Sequence, residues 1–178
     1  GFLMIAVLSL AAGSSGSMVF YLLAYGLATV GAFAAISLVR RSGPEGEVGP
    51  EANSIHAWDG MIKRSPLLAI SMLIFLLSFA GIPLTSGFVG KFVVFAAGIQ
   101  GGLGWLVAIA LAASVATAVF YFRIVVAMFM RKPREGYVAV QSEGLSSVVI
   151  AFTALATVIL GIFPGPVLSF LEQTAIFV

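Results

Sequence analysis

GIPLTSGFVGK, Gly81–Lys91, decides how this chain is read. It lies inside an apolar run from Pro66 to Ile99 in which Lys91 is the only charged side chain. A straight helix over residues 66–99 would reach ~51 Å at about 1.5 Å per residue, against a hydrocarbon core of ~30 Å. The run must therefore tilt strongly or break. Pro83 removes a backbone donor and frees the carbonyl of Phe79, Gly81 and Gly87 loosen the flanks, and Thr85 and Ser86 can rebond the liberated groups. This predicts one crossing made of two half-helices, broken over 81–87. An ammonium at membrane depth costs about 2.5–3.5 kcal/mol on insertion scales, so Lys91 needs a partner, water or a function. The first half-helix, ending near Ala80, turns its negative end to the gap and favours a cation there. Lys91 follows about two turns later, ~10 Å along the axis, within reach of the gap through water. Glycine and proline are common in membrane helices, so a kink by itself can be purely structural, and a lysine can snorkel. Here Phe92, Val93, Val94 and Phe95 follow Lys91 and hold it inside the boundary. The combination reads as an ion or proton pathway with Lys91 as its relay.

Composition places the rest of the chain in a bilayer. It is 61% hydrophobic and 9% charged, with a mean hydropathy of +1.14, whereas a soluble domain carries about a quarter charged residues. The formal charge of +2 comes from basic residues in two short connections, which report orientation rather than nucleic-acid binding. With no cysteine, disulfides, thiolate metal sites and cysteine-held iron–sulfur clusters are excluded, and a single histidine, His56, cannot build a metal site without carboxylates. No metal or cofactor site is read on this chain.

Hydropathy divides the chain into five segments, an all-α polytopic transmembrane bundle with one discontinuous helix. Gly1 opens directly onto FLMIAVLSLAA, with no initiator methionine and no basic leader region, so the chain is expected to start inside a helix of a longer polypeptide. Residues 2–12 read as the end of that helix, and GSSGS at Gly13–Ser17 as an uncharged loop. Residues 18–39 form a full span whose Gly26, Ala28, Gly31, Ala32, Ala34 and Ala35 permit close helix contact. The broken segment 66–99 is followed by spans at 103–130 and 145–162. Phe163-Pro164-Gly165-Pro166 ends the last of these, and 167–178 reads as a short interfacial helix containing Glu172. Residues 40–65 and 131–144 read as polar loops.

Orientation follows from those loops. Arg40, Arg41, Lys63 and Arg64 lie in one, and Arg131, Lys132 and Arg134 in the other, two crossings later. Both fall on one face, which the positive-inside rule makes cytoplasmic, and the C-terminus ends on the opposite side. Among the remaining polar residues, His56 could accept protons at an entry point or simply be solvated. Arg123 reads as snorkelling or pairing locally more readily than as a proton carrier. Tyr21, Tyr25, Thr29 and Ser78 could line a water path, although membrane hydroxyls often bond only their own helix. Asp59, Lys63 and Arg64 read as solvated surface or subunit contacts, and Trp58 and Trp105 as interface anchors.

These residues carry a family resemblance. GIPLTSGFVGKF at Gly81–Phe92, YLLAYGLATVGAF at Tyr21–Phe33, WDGMIKRSPLLA at Trp58–Ala69 and YFRIVVAMF at Tyr121–Phe129 resemble the antiporter-like membrane subunits of respiratory complex I. The resemblance implies the C-terminal part of a 14-helix fold, from the end of the tenth helix onward, in a bacterial plasma membrane. It implies proton translocation driven by NADH oxidation and quinone reduction, with FMN, iron–sulfur clusters and quinone all held by partner subunits. Lys91 matches the lysine of the family's second broken helix, where other relatives carry glutamate. The implied partners are a neighbouring antiporter-like subunit, small helical subunits and lipid. Two other readings stay open: a subunit of a multisubunit sodium/proton antiporter or membrane hydrogenase, and a non-conducting packing subunit in which Lys91 is dry and paired.

Overall fold

A helix with a stripe of small side chains organises the bundle. The computed structural model describes residues 2–8, 15–42, 47–139 and 144–174. In chain order these form α1 (Phe2–Leu8), α2 (Ser15–Ser37), β1 (Val39–Ser42), β2 (Val48–Glu51), a 3-10 turn (Ile55–Trp58), α3 (Met61–Arg64), α4 (Pro66–Ala80), α5 (Ser86–Gln100), α6 (Gly104–Met130), β3 (Tyr137–Ala139), α7 (Leu145–Ile162) and α8 (Gly165–Thr174). On α2 the buried positions Phe20, Ala24, Ala28, Gly31, Ala32 and Ala35 recur at helical spacing. That pattern lets α4, α5, α7 and α8 close around it. Among the described residues α2, α6 and α7 are long and apolar enough to cross a membrane. By contrast α4 and α5, of 15 residues each, reach only about 22 Å apiece and are too short to cross alone.

Several boundaries differ from the sequence reading. Ser15–Ser17 are helical rather than loop, because α8 lies over the start of α2. A Cβ at Gly16 would stand 3.0 Å from Glu172 Cγ. Gly13 and Ser14, residues 9–12 and residues 175–178 lie outside the described residues. The second span ends at Ser37, since Val39 is already in a strand. The last helix begins at Gly165 and sets Val167, Leu168 and Leu171 against Phe20, Ala24 and Leu160.

The described residues of the two polar connections are also built into regular structure. β1 pairs antiparallel with both β2 and β3, giving the sheet order β2-β1-β3, so residues from the two basic connections meet at one end of the bundle. Asp59, expected at the surface, is buried. Its carboxylate accepts from Arg131 Nη1 at 3.2 Å and faces His56 Nδ1 at 3.2 Å. Arg64 is half-buried rather than free in solvent: it donates to the carbonyls of Asp59 (2.8 Å), Arg134 (3.2 Å), Ala57 (3.3 Å) and Tyr137 (3.3 Å). Burial pulls the Arg64 guanidinium below its usual value while Asp59 opposes the shift; an arginine stays charged nonetheless. Lys63 remains exposed. Trp58 is buried in the core beside Met61 and Leu68, so it is no lipid-facing anchor, whereas Trp105 is exposed. Both connections thus fold because their ends, fixed by the helices, bring backbone donors, carbonyls and one buried carboxylate within reach of two arginines.

Between α4 and α5 the backbone turns sharply. Gly81 ends α4 in the left-handed region at φ 80°, its N–H bonding the carbonyls of Leu77 and Ser78. Leu84 has φ 73°, the one positive φ at a non-glycine among the described residues, a conformation that costs a bulky side chain energy. Thr85 Oγ1 donates to the Ile82 carbonyl at 2.7 Å, and Gly87 N–H donates to Ser78 Oγ at 3.0 Å. Ser86 does not share in this rebonding: its Oγ is buried without a partner among the described residues. The segment is held from two sides. A Cβ at Gly87 would fall on the Ser78 carbonyl, and one at Gly161 of α7 would fall on the Leu84 carbonyl.

Two substitutions test this scaffold. Gly87→Ala should cost about 2 kcal/mol, because the added methyl must displace backbone rather than a flexible side chain. The midpoint of heat-induced unfolding in detergent checks this, and an unchanged midpoint contradicts the close approach. Arg64→Met should cost about 2 kcal/mol by leaving carbonyls of two connections unpaired. Arg64→Lys should recover only part of that loss, because an ammonium cannot fork between several acceptors. A lysine variant as stable as the wild type would contradict the clasp.

Candidate functional site

Lys91 lies in the second turn of α5, and its side chain runs back across the turn toward the end of α4. The stem rests on Gly81, where a Cβ would stand 3.0 Å from Lys91 Cδ and 3.2 Å from Nζ. Lys91 Nζ donates to the Phe79 carbonyl at 2.7 Å and to Ser114 Oγ of α6 at 2.8 Å. The carbonyl is the one that Pro83, four residues on, leaves without a helical donor. Lys91, expected to reach the gap through water, meets it directly. The Phe2 ring lies 5.1 Å from Nζ, on the side where its negative face meets a cation.

No carboxylate pairs with Lys91 among the described residues. Its charge is met by a carbonyl, a hydroxyl, an aromatic face and the negative end of α4. Beside it opens a cleft of about 400 Å³, lined by Gly81, Phe88, Phe92, Leu111 and Val115 among others, with Lys91 and Ser114 as its polar side chains. The rest of its lining is apolar, so water in the cleft would be held at Lys91 and Ser114. A half-buried amine with dipolar partners and adjoining space can hold a proton and give it up, which a fixed ion pair would resist.

The other sequence candidates divide into those at the turn and those elsewhere. Gly81, Pro83, Thr85, Ser86 and Gly87 form the turn that presents the Phe79 carbonyl. Tyr25, half exposed, packs its ring 5.6 Å from that of Phe79 and 5.8 Å from Tyr21, on the α2 side rather than in the cleft. Thr29 bonds its own helix, donating to the Tyr25 carbonyl at 2.7 Å. His56 faces Asp59 at the sheet end. Arg123 is exposed on α6, about 13 Å along the helix from Ser114. Neither lines the cleft. Ser114 was missed, because one serine in an apolar helix carries no signal distinguishing a hydroxyl that bonds its own turn from one that reaches a neighbour.

The sequence pattern of the family described as NADH:quinone oxidoreductase/Mrp antiporter, transmembrane, matches residues 1–117. NADH-quinone oxidoreductase subunit N of Beutenbergia cavernae is 50% identical over 100% of this chain and 34% of its own length. The subunit N of Thermobifida fusca is 46% identical over 94% of this chain and 30% of its own length. The subunit N of Mycobacterium tuberculosis is 41% identical over 98% of this chain and 33% of its own. The chain thus spans about a third of the length of the curated relatives it matches. Among solved structures, a chain of respiratory complex I from Thermus thermophilus with bound aureothin superimposes with a TM-score of 0.77 at 29% identity, covering 93% of this chain and 36% of that one. On the match to its membrane domain, carried over residues 1–117, this chain belongs to the NADH:quinone oxidoreductase/Mrp antiporter transmembrane family.

Proposed function

We propose that this chain works within subunit N of bacterial respiratory complex I and translocates protons across the plasma membrane. The driving reactions, NADH oxidation and quinone reduction, take place in partner subunits that hold the FMN, iron–sulfur clusters and quinone. The role of this chain in the enzyme is proton transfer and involves no redox step of its own. The observation that carries the reading is the Lys91 amine, set between a carbonyl exposed by a helix break and a cleft with room for water.

In the charged state the ammonium donates to Phe79 O and Ser114 Oγ, and its third N–H is free to meet water. After a proton leaves, the neutral amine keeps an N–H for the Phe79 carbonyl, so the side chain need not swing away between states. The broken segment supplies the pocket, α6 supplies the hydroxyl, and α7 backs the turn through Gly161. The basic connections, brought together by the β1–β3 pairing, lie on the cytoplasmic face, and the chain ends on the opposite side. The partners are a neighbouring antiporter-like subunit, small helical subunits and the bilayer. A sodium/proton antiporter or membrane hydrogenase subunit would use a similar scaffold; identity of 40% or more to several subunits N favours complex I.

Lys91→Ala, introduced into the assembled complex, should lower the rate of proton pumping per NADH oxidised by at least about tenfold, short of the roughly hundredfold or more that a positioned acid–base group contributes. Lys91→Arg should fail as well, because a guanidinium does not release its proton in the physiological range. Dye-quench measurements on inverted vesicles, normalised to the assembled complex, check both. Full pumping by Lys91→Ala removes the relay.

A further inference from the structure

Hydroxyls in these helices are mostly spent on their own backbone. Thr29, Ser37, Thr117, Thr153 and Thr157 each donate to a carbonyl three or four residues earlier, the usual fate of such groups in apolar helices. Ser114 is different. It is 6% exposed, it accepts from Lys91 Nζ at 2.8 Å, and its own hydrogen is given to no acceptor among the described residues. It also lines the cleft, where Lys91 is the other polar side chain.

These facts set what the two partners of Lys91 can do. The Phe79 carbonyl only accepts, so it can hold a hydrogen of the amine but cannot carry one away. A serine hydroxyl both donates and accepts. It can receive from the ammonium, and by rotating about its C–O bond it can donate to the lone pair of the neutral amine. From this geometry we infer that Ser114 Oγ is the proton-passing partner of Lys91, linking the amine to the cleft. The inference rests on the proposed exchange of a proton at Lys91 and names the atom through which it passes.

The step balances without any further reactant. One hydrogen of the Lys91 ammonium moves to Ser114 Oγ as the hydroxyl's own hydrogen moves to a water in the cleft. The products are a neutral amine, an intact serine and a hydronium ion. The new O–H already lies on the line to the amine, so the hydrogen bond persists with its polarity reversed. Reversal of the same motions reloads the amine from the cleft.

The test compares side chains of one size that differ in the hydroxyl, within the assembled complex. Ser114→Thr keeps the hydroxyl and should pump near the wild-type rate. Ser114→Val matches threonine in shape and should pump about tenfold more slowly, as should Ser114→Ala, which removes bulk instead of adding it. Proton pumping is read per NADH oxidised, and the amount of assembled complex is measured alongside. Wild-type pumping by Ser114→Ala overturns the inference, as does a valine variant that matches threonine. Lys91→Ala is run in parallel. If it pumps fully, the proposed function fails; if it does not, and Ser114→Ala pumps normally, the inference about Ser114 alone fails.

Discussion

The hydrogen bond from Lys91 Nζ to the Phe79 carbonyl, 2.7 Å long, is the contact on which the rest of the architecture turns. A carbonyl inside a membrane helix is ordinarily engaged by the N–H four residues later. Proline at position 83 cannot supply one, and glycine at position 81 lets the chain leave the helix in the left-handed region, where most residues are strained. An acceptor is thereby exposed where water is scarce, and the only cation of the segment returns to meet it. Two local departures from helical regularity, each costly alone, satisfy one another.

Everything around this contact serves to hold it in register. Ser78 and Thr85 take up donors and acceptors that the turn would otherwise strand. Gly87 and Gly161 let backbone approach backbone on opposite sides, so the turn is clamped rather than hinged. The small-residue stripe of α2 brings α4, α5 and α7 together. At the end of the bundle carrying the sheet, Asp59 with Arg131 and Arg64 with its four carbonyls tie the two polar connections. A firm end and a clamped turn leave one region of open space beside the amine, the cleft that Ser114 shares.

What could be read in the sequence and what could not divides along physical lines. The bundle was legible because apolar length and hydropathy are sums over many residues, and errors at single positions cancel. The Pro83 and Gly81 effects were legible because they act through backbone chemistry that depends little on context. The connections are less legible: residues 40–65 and 131–144 read as polar loops, yet strand pairing gives Arg40 partners in β2 and β3 and Arg41 one in β3. Asp59 and Arg64 looked solvated because a charge in a polar stretch usually is, and only tertiary contact shows which carbonyls an arginine can gather. Trp58 was misplaced for the same reason. Ser114 and the unpartnered Ser86 could not be sorted by residue type at all, since which hydroxyl stays on its own helix is settled by which neighbour comes near.

The most direct measurement is a cryo-electron-microscopy map of the intact membrane complex, sharp enough to place side-chain amines and ordered water at this site. The account predicts a helix interrupted between Ala80 and Ser86, with Lys91 Nζ within hydrogen-bonding distance of Phe79 O and Ser114 Oγ and with water in the adjoining cleft. An uninterrupted helix, or a Lys91 amine extended to the lipid headgroups with the cleft filled by apolar side chains, would contradict it.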